Sequence, residues 1–474
     1  MVDQTEPASW AEILRGRNGL RSLALAGGVA LHAVNVYIVT TILPSVVRDI
    51  GGLAYYAWNM TLFVAASILG SALSPKTIDK LGLHRAFLLA IALFSLGTMG
   101  CGSAYSMPWM LAGRTVQGLG GGLLLGLSYS AVRLVFEERL WPRAMVLVSS
   151  MWGVATLAGP AIGGIFAQGG YWRLAFWMVL PFAAGLAWLV HAQLGGQRRG
   201  PRSGVKAPLG NISLMIVSVL LVSIASLSDS WLWNFAGLAA GLAMTAWIGR
   251  LDYRSQARIL PSGAYTPGSV LASAYLCVCL LSMGVTIEVF IPYFLQVIHG
   301  KSPLAAGYLM ALLSAGWTLG SFLSSGRSRR TVDKLILLGP LLSAVSLALL
   351  AVLMPMGSLS EGSGRGFAWI LPLLLGVGLG VGLCWPHLLT RIFKASPAGQ
   401  ESIASAAIIT LQLYAIALGA SLAGMVSNAA GLTDPGGEAG ARQAAVALFT
   451  VFACAPGLAI FLGRGARRAA AQQA

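Results

Sequence analysis

Fourteen stretches of the chain are apolar for long enough to cross a bilayer: residues 22–47, 54–74, 86–106, 109–133, 143–168, 172–193, 209–228, 231–249, 269–297, 304–324, 335–356, 367–390, 402–427 and 442–463. About 20 apolar residues in helical form reach across the hydrocarbon core. Short polar gaps separate the stretches, and the longest of them, near 251–268 and 428–441, leave no room for a soluble domain. The pattern predicts an all-α integral membrane protein with fourteen transmembrane helices.

Composition agrees with this reading. Hydrophobic residues make up 57% of the 474, charged residues only 10%, mean hydropathy is +0.77, and there are 59 glycines. Charge then sets an orientation. With the N-terminus inside, the cytoplasmic segments hold 25 of the 31 Lys and Arg residues; Arg48, Arg173, Lys301, Arg365 and Arg442 fall outside, and Arg114 lies within a span. Positive residues collect in cytoplasmic loops, so both termini are expected in the cytoplasm, the membrane being the bacterial inner one. The net charge of +16 is thereby a matter of topology: Arg198, Arg199, Arg202 and Lys206 form one basic cluster, Arg327, Arg329, Arg330 and Lys334 another. Such charges split among short loops face anionic lipid, and binding to nucleic acid is rejected. The five cysteines all sit in spans, odd in number, and suggest neither a disulfide framework nor a zinc site. Residues 9–21 intersperse Trp10, Ile13, Leu14 and Leu20 with Arg15, Arg17 and Arg21, the composition of a short amphipathic helix on the inner leaflet or of a plain leader. No cleavable signal peptide is visible.

An internal repeat organises the spans. Leu69-Gly70-Ser71-Ala72-Leu73-Ser74 is matched 250 positions later by Leu319-Gly320-Ser321-Phe322-Leu323-Ser324, and a basic loop with one Asp follows each, Asp79 and Asp333. The expected division is a leader at 1–21, an N-terminal six-helix bundle at 22–194, a linker with two extra helices at 195–268, a C-terminal six-helix bundle at 269–463 and a tail at 464–474. Parallel repeats of this kind occur in secondary transporters, whose substrate path runs between the halves near the midplane.

Several motifs carry a resemblance to a known family. The loop after the second span reads Asp79-Lys80-Leu81-Gly82-Leu83-His84-Arg85. The fourth span begins Leu111-Ala112-Gly113-Arg114-Thr115-Val116-Gln117-Gly118-Leu119-Gly120, and the fifth carries Gly159-Pro160-Ala161-Ile162-Gly163-Gly164. Together these resemble the major facilitator superfamily, and within it the fourteen-span drug:proton antiporter branch. The resemblance covers nearly the whole chain. It implies the major facilitator fold, a conformational lock at Asp79, Gly82 and Arg85, a functional Arg114 with Gln117 and Gly118, and an antiporter motif at Gly159, Pro160, Gly163 and Gly164. The first motif departs from the family pattern, with Pro75 in place of its first Gly and Leu83 in place of a basic residue; a solvated loop charge is the other reading of Asp79. For Arg114 the other reading is snorkelling toward the outer surface.

The first span departs further. The branch has an acidic residue nine positions before the proline of a Leu-Pro pair, and Leu43-Pro44 puts Asn35 in that place. Asparagine carries no proton; His32, one turn earlier, is a titratable replacement or a hydrogen-bonded core residue. Among the fifteen acidic residues one lies deep in an apolar run, Glu288 of Met283-Gly284-Val285-Thr286-Ile287-Glu288-Val289-Phe290. A proton and a cation competing for this carboxylate suffice for antiport; a structural hydrogen bond is the alternative. Proton coupling is therefore expected of Glu288, His32 and Arg114. Spans that face the centre in the resembled fold supply further cavity candidates: Asn35, Tyr37, Gln117, Trp152, Trp385, His387 and Gln412, with Trp58, Tyr129 and Trp317 behind them.

The chain reads as a secondary active exporter, not an enzyme, that exchanges protons for an amphipathic, cationic small molecule by alternating access. It is expected to act as a monomer in the bilayer, without cofactor or metal. Export of one endogenous metabolite, siderophore or lipid is the runner-up. A membrane-embedded enzyme would need clustered catalytic groups, and a non-transporting sensor would keep the fold without coupling. No nucleotide-binding P-loop is present.

Overall fold

The computed structural model describes residues 9–194, 208–356 and 365–472, and among these the regular structure is helical throughout. The basic cluster at 198–206 lies outside the described residues. A five-residue α1 (Trp10–Leu14) leads into α2 (Gly16–Ile50), followed by α3 (Trp58–Leu81), α4 (Leu83–Gly102), α5 (Met107–Val135), α6 (Trp141–Gln168), α7 (Trp172–Trp177) and α8 (Val179–Leu194). After the inserted α9 (Leu209–Ala225) and α10 (Trp231–Arg254) come α11 (Val270–Val285), α12 (Ile291–Val297), α13 (Pro303–Ser324), α14 (Arg329–Leu353), α15 (Arg365–Ala395), α16 (Glu401–Ala429) and α17 (Gly437–Gln472).

The helical segments match the apolar stretches, the one at 172–193 being divided into α7 and α8 at Met178, and three larger differences stand beside this. Among the described residues thirteen are long and apolar enough to cross a membrane; the stretch at 209–228 forms only the 17-residue α9, about 25 Å long and short of the roughly 30 Å hydrocarbon core. The expected amphipathic helix over 9–21 is confined to α1, because Arg15 is extended and the chain re-enters helix at Gly16 as part of the first span. A capping box between Ser9 and Glu12 starts α1, and Glu12 pairs with Arg139 at 2.7 Å, fastening it to the segment before α6. The third difference is at 269–297, where α11 and α12 are separated by a 3₁₀ turn, Thr286–Val289. Pro292 has no N–H, and its ring conflicts with the carbonyl of Glu288 four residues earlier, so the α-helix cannot run straight through.

Glycine sets how closely the helices approach. A Cβ on Gly118 would overlap the Phe63 backbone, one on Gly120 the Phe94 and Ala90 backbones, and one on Gly122 the Ser67 backbone. These glycines let α5 lie directly against α3 and α4. In the second half, Gly378 and Gly382 of α15 likewise meet Leu313 and Trp317 of α13.

Helices α2 to α8 pack on one another and α11 to α17 do the same, while α9 lies against α3 and α16 and carries α10 on its far side. Contacts joining the halves gather away from the face that bears the N-terminal α1. There Tyr56 stacks on Phe290 at 4.9 Å, Asn428 donates to the Ala54 carbonyl at 2.9 Å, and Gly164 and Gly307 admit Leu304 and Thr41.

Candidate functional site

Arg114 sits on the α5 face that the glycines press into the bundle, and it is 1% exposed. Its Nη1 donates to Asn35 Oδ1 at 2.7 Å and to Gln117 Oε1 at 2.6 Å, its Nε donates to the Asn59 carbonyl at 3.2 Å, and its guanidinium lies 4.0 Å from the Phe63 ring centroid. The side chain thus turns inward, which overturns snorkelling. Gln117, one turn along α5, is held in turn by the Thr98 hydroxyl, which accepts from Nε2 at 2.8 Å. None of the three acceptors on Arg114 is a carboxylate. The charge is satisfied by amide and carbonyl dipoles and by a ring face rather than by a counter-ion.

His32 is buried beside this network, with its ring 5.2 Å from Phe63 and 5.9 Å from Trp152. Its Nδ1 and the Asn35 Nδ2 have no hydrogen-bond partner. Gly121 makes room for the imidazole: a Cβ there would stand 2.8 Å from Nδ1.

Glu288 lies in the 3₁₀ turn between α11 and α12, half-buried, and the described structure gives its carboxyl no hydrogen bond. It lies close enough to Tyr37 of α2 to interact with it electrostatically, and the Tyr37 hydroxyl is 2.9 Å from that of Ser314 on α13 and near Thr156 on α6. Four elements from both halves thus converge on a small polar junction. A carboxyl without a fixed partner on a broken helix can take up a proton or a cation without first giving up a structural bond.

The remaining candidates are distributed more widely. Trp152 is half-buried near His32; Trp385 meets Trp317 edge to face at 4.8 Å, and both are half-buried. His387 is beside the Ser324 backbone, at the last residue of α13 and so far from Glu288 along that helix, with its Nε2 unpartnered. Gln412 is half-buried on α16, and Tyr129 approaches Ser149 at 3.3 Å. Trp58 is half-buried with its indole nitrogen unpartnered. Gly82 ends α3 and starts α4 at φ +80°, the left-handed region that favours glycine, with Asp79 in the last turn of α3 and Arg85 exposed in the first turn of α4. Gly159 and Gly163 take Tyr37 and Ile38 of α2 against the backbone of α6, while Pro160 and Gly164 face Gly307 and Leu304 of α13. The small-residue motif of the fifth span therefore packs one helix against two, one in each half. Asn59, Thr98, Thr156 and Ser314 were not among the candidates. Single polar residues in apolar runs were the only signal for them.

The model of the Major Facilitator Superfamily matches residues 25–420. A probable multidrug-efflux transporter of Mycobacterium tuberculosis is 38% identical over 464 residues, 95% of each chain. A multidrug efflux pump of Staphylococcus aureus is 24% identical over 318 residues, 65% of this chain and 69% of that one. Among solved structures, a bacterial homolog of the human lysosomal transporter Spinster superposes with a TM-score of 0.66 at 16% identity, covering 96% of this chain and 98% of its own.

Proposed function

Because the chain belongs to the Major Facilitator Superfamily and is an efflux transporter rather than an enzyme, we propose that it exchanges protons inward for an amphipathic, cationic compound outward, with Glu288 as the group that both occupy in turn. The observation that carries this reading is the placement of Glu288: a carboxyl on an interrupted helix, without a hydrogen bond among the described residues, within electrostatic reach of Tyr37 at the junction of the two halves. In the same reading the membrane is the bacterial inner one, both termini are cytoplasmic, and the protein works as a monomer without cofactor.

The cycle follows from elementary steps. In the conformer closed at the end away from α1, a cation from the cytoplasmic side displaces the Glu288 proton and is held by charge and by aromatic walls such as Trp152 and Trp385. Loss of the proton and gain of the substrate change the charge distribution beside Tyr37–Ser314, which links the halves, and so bias the rocking of one half on the other. On the far side a proton expels the substrate. Arg114 stays charged throughout; it shapes the field of the N-terminal half and keeps α2, α3 and α5 in register.

A second reading, export of a metabolite with an anionic group, is favoured by one observation, the lack of a carboxylate partner for Arg114. The experiment is dye-cation transport in reconstituted vesicles under an imposed pH gradient, comparing the native chain with Glu288→Gln. Transport lost in the variant with binding retained supports the antiport; equal activity in both sinks Glu288 as the proton carrier, and transport of anions in preference to cations moves the assignment to the second reading.

A further inference from the structure

The inserted helices treat the two seams between the halves unequally. On one side α9 fills the groove between α3 and α16. Its buried residues Ile212, Met215, Ser218, Val219, Val222 and Ser223 recur every three or four positions and so form one face. That face is fastened to α16 by Ser218–Tyr414 at 2.7 Å and Ser223–Ser421 at 2.7 Å, and Thr245 of α10 adds a bond to Tyr414 at 2.5 Å. Ser421 also reaches Thr61 of α3 at 3.5 Å, so a buried line of hydroxyls ties the inserted pair across the seam.

On the other side α6 meets α13 directly. Away from α1 the two are in contact, Gly164 on Leu304 and Pro160 on Gly307. Along the same face of α6, one turn closer to α1, Leu157 is 64% exposed; a Cβ on Gly153 would meet nothing within 4 Å, and Val146 is 56% exposed. On α13, Ala315 and Thr318 are exposed at that depth and Phe322 is 76% exposed. The two helices therefore part toward the face that carries α1.

We propose that α9 and α10 seal the α3–α16 seam against lipid, leaving the parted α6–α13 seam as the single lateral window through which an amphipathic molecule dissolved in the bilayer reaches the cleft. The inference rests on the export reading for its occupant. Its lining fits that occupant: Val146, Leu157 and Phe322 offer apolar surface, Ser150 and Thr318 offer hydroxyls, and one or two turns beyond lies the Tyr37–Ser314 junction near Glu288. A molecule that carries an apolar body and one polar group stays solvated along this whole path.

The test uses the full chain with Cys454→Ala, reconstituted with lipids that bear a nitroxide on the acyl chain. A bimane attached at Gly153→Cys should be quenched by these lipids, and one attached at Thr61→Cys, on α3 where Ser421 meets it across the sealed seam, should not. In the same bilayers Gly153→Trp, which fills the window, should slow association of a lipophilic dye cation about tenfold while its equilibrium affinity in detergent stays within about twofold. Quenching at both positions, or at neither, overturns the proposal, as does an unchanged association rate in Gly153→Trp. If the native chain neither binds nor transports the dye, the export reading fails, and the quenching pattern still decides whether the window and the seal exist.

Discussion

The hydroxyl of Tyr37 lies 2.9 Å from that of Ser314, across the boundary between the two halves of the molecule. The two helices, α2 and α13, also touch through Thr41 on Gly307, and Pro160 of α6 packs on the same glycine, so the bond sits beside a close contact between the halves. Tyr37→Phe removes the bond and leaves the ring. A net hydrogen bond is worth about 1 kcal/mol, which corresponds to a shift of roughly fivefold in the population closed at the end away from α1. Spin-label distances between α6 and α13 should record that shift, and an unchanged distribution would show that the bond does not latch the halves.

Arg114 should not tolerate lysine. Its planar donors serve Asn35, Gln117 and the Asn59 carbonyl at once, and an ammonium has neither the reach nor the fork. Leaving a buried acceptor unpaired costs about 1–3 kcal/mol. Arg114→Lys in detergent should therefore unfold at lower temperature than the native chain, and Arg114→Ala lower still; a native melting temperature for the lysine variant would refute the network as described.

Gly118 is a site where one methyl group is too many. Its added Cβ would overlap the backbone of Phe63, and backbone cannot swing aside as a side-chain tip does. Overpacking of a tight core costs about 1–3 kcal/mol. Gly118→Ala should shift α5 from α3, lower thermal stability and reduce transport together, whereas Gly153→Ala, with open space around it, should leave stability unchanged.

Tyr414 holds the inserted pair through two hydroxyl partners, Ser218 and Thr245. Tyr414→Phe removes both bonds while Ser218 and Thr245 keep the Met215 and Gly241 carbonyls as acceptors, at a cost of about 0.5–1.5 kcal/mol per bond. Hydrogen exchange in α9 and α10 should rise in this variant while that in α5 stays native; a uniform rise would mean that the pair is not a separately fastened unit.

The docking of α1 should depend on acid. Glu12 accepts from the Ser9 backbone and pairs with Arg139, and these interactions hold its carboxyl below the usual carboxylate range. A depressed folded value means that the stabilisation is complete above the ordinary carboxylate pKa, about 4.3, and is lost as pH falls through the folded value. Fluorescence of Trp10, over which Arg143 lies at 5.8 Å, should report undocking only in that acid window; Glu12→Gln should remove the pH step.

The spans were legible because burial in lipid demands uninterrupted apolar runs, and Arg114 and Glu288 stood out because charge within such a run is costly. What escaped was pairing at a distance. Nothing in the chain links Tyr37 to Ser314, 277 positions away, and Thr98 and Asn59 look like any isolated polar residue until α4 and α3 are placed around α5. The interruption of the ninth span was readable in principle, since Pro292 follows Glu288 by the four residues that a proline ring disturbs, but hydropathy alone passes over it. The reach of the leader helix was overstated for a similar reason: composition over 9–21 does not reveal that Arg15 is extended.

Asparagine at position 35 has an electrical consequence. With no acid beside it, Arg114 contributes one fixed positive charge to the interior of the bundle, and in the proposed exchange Glu288 is the group whose charge changes. If Glu288 exchanges one proton for one monovalent cation, the carrier bears the same charge on its outward and return journeys, and the membrane voltage neither drives nor opposes the swap. A neutral cargo would break that balance, and each cycle would then move one elementary charge through the field, worth about 2.3 kcal/mol per 100 mV.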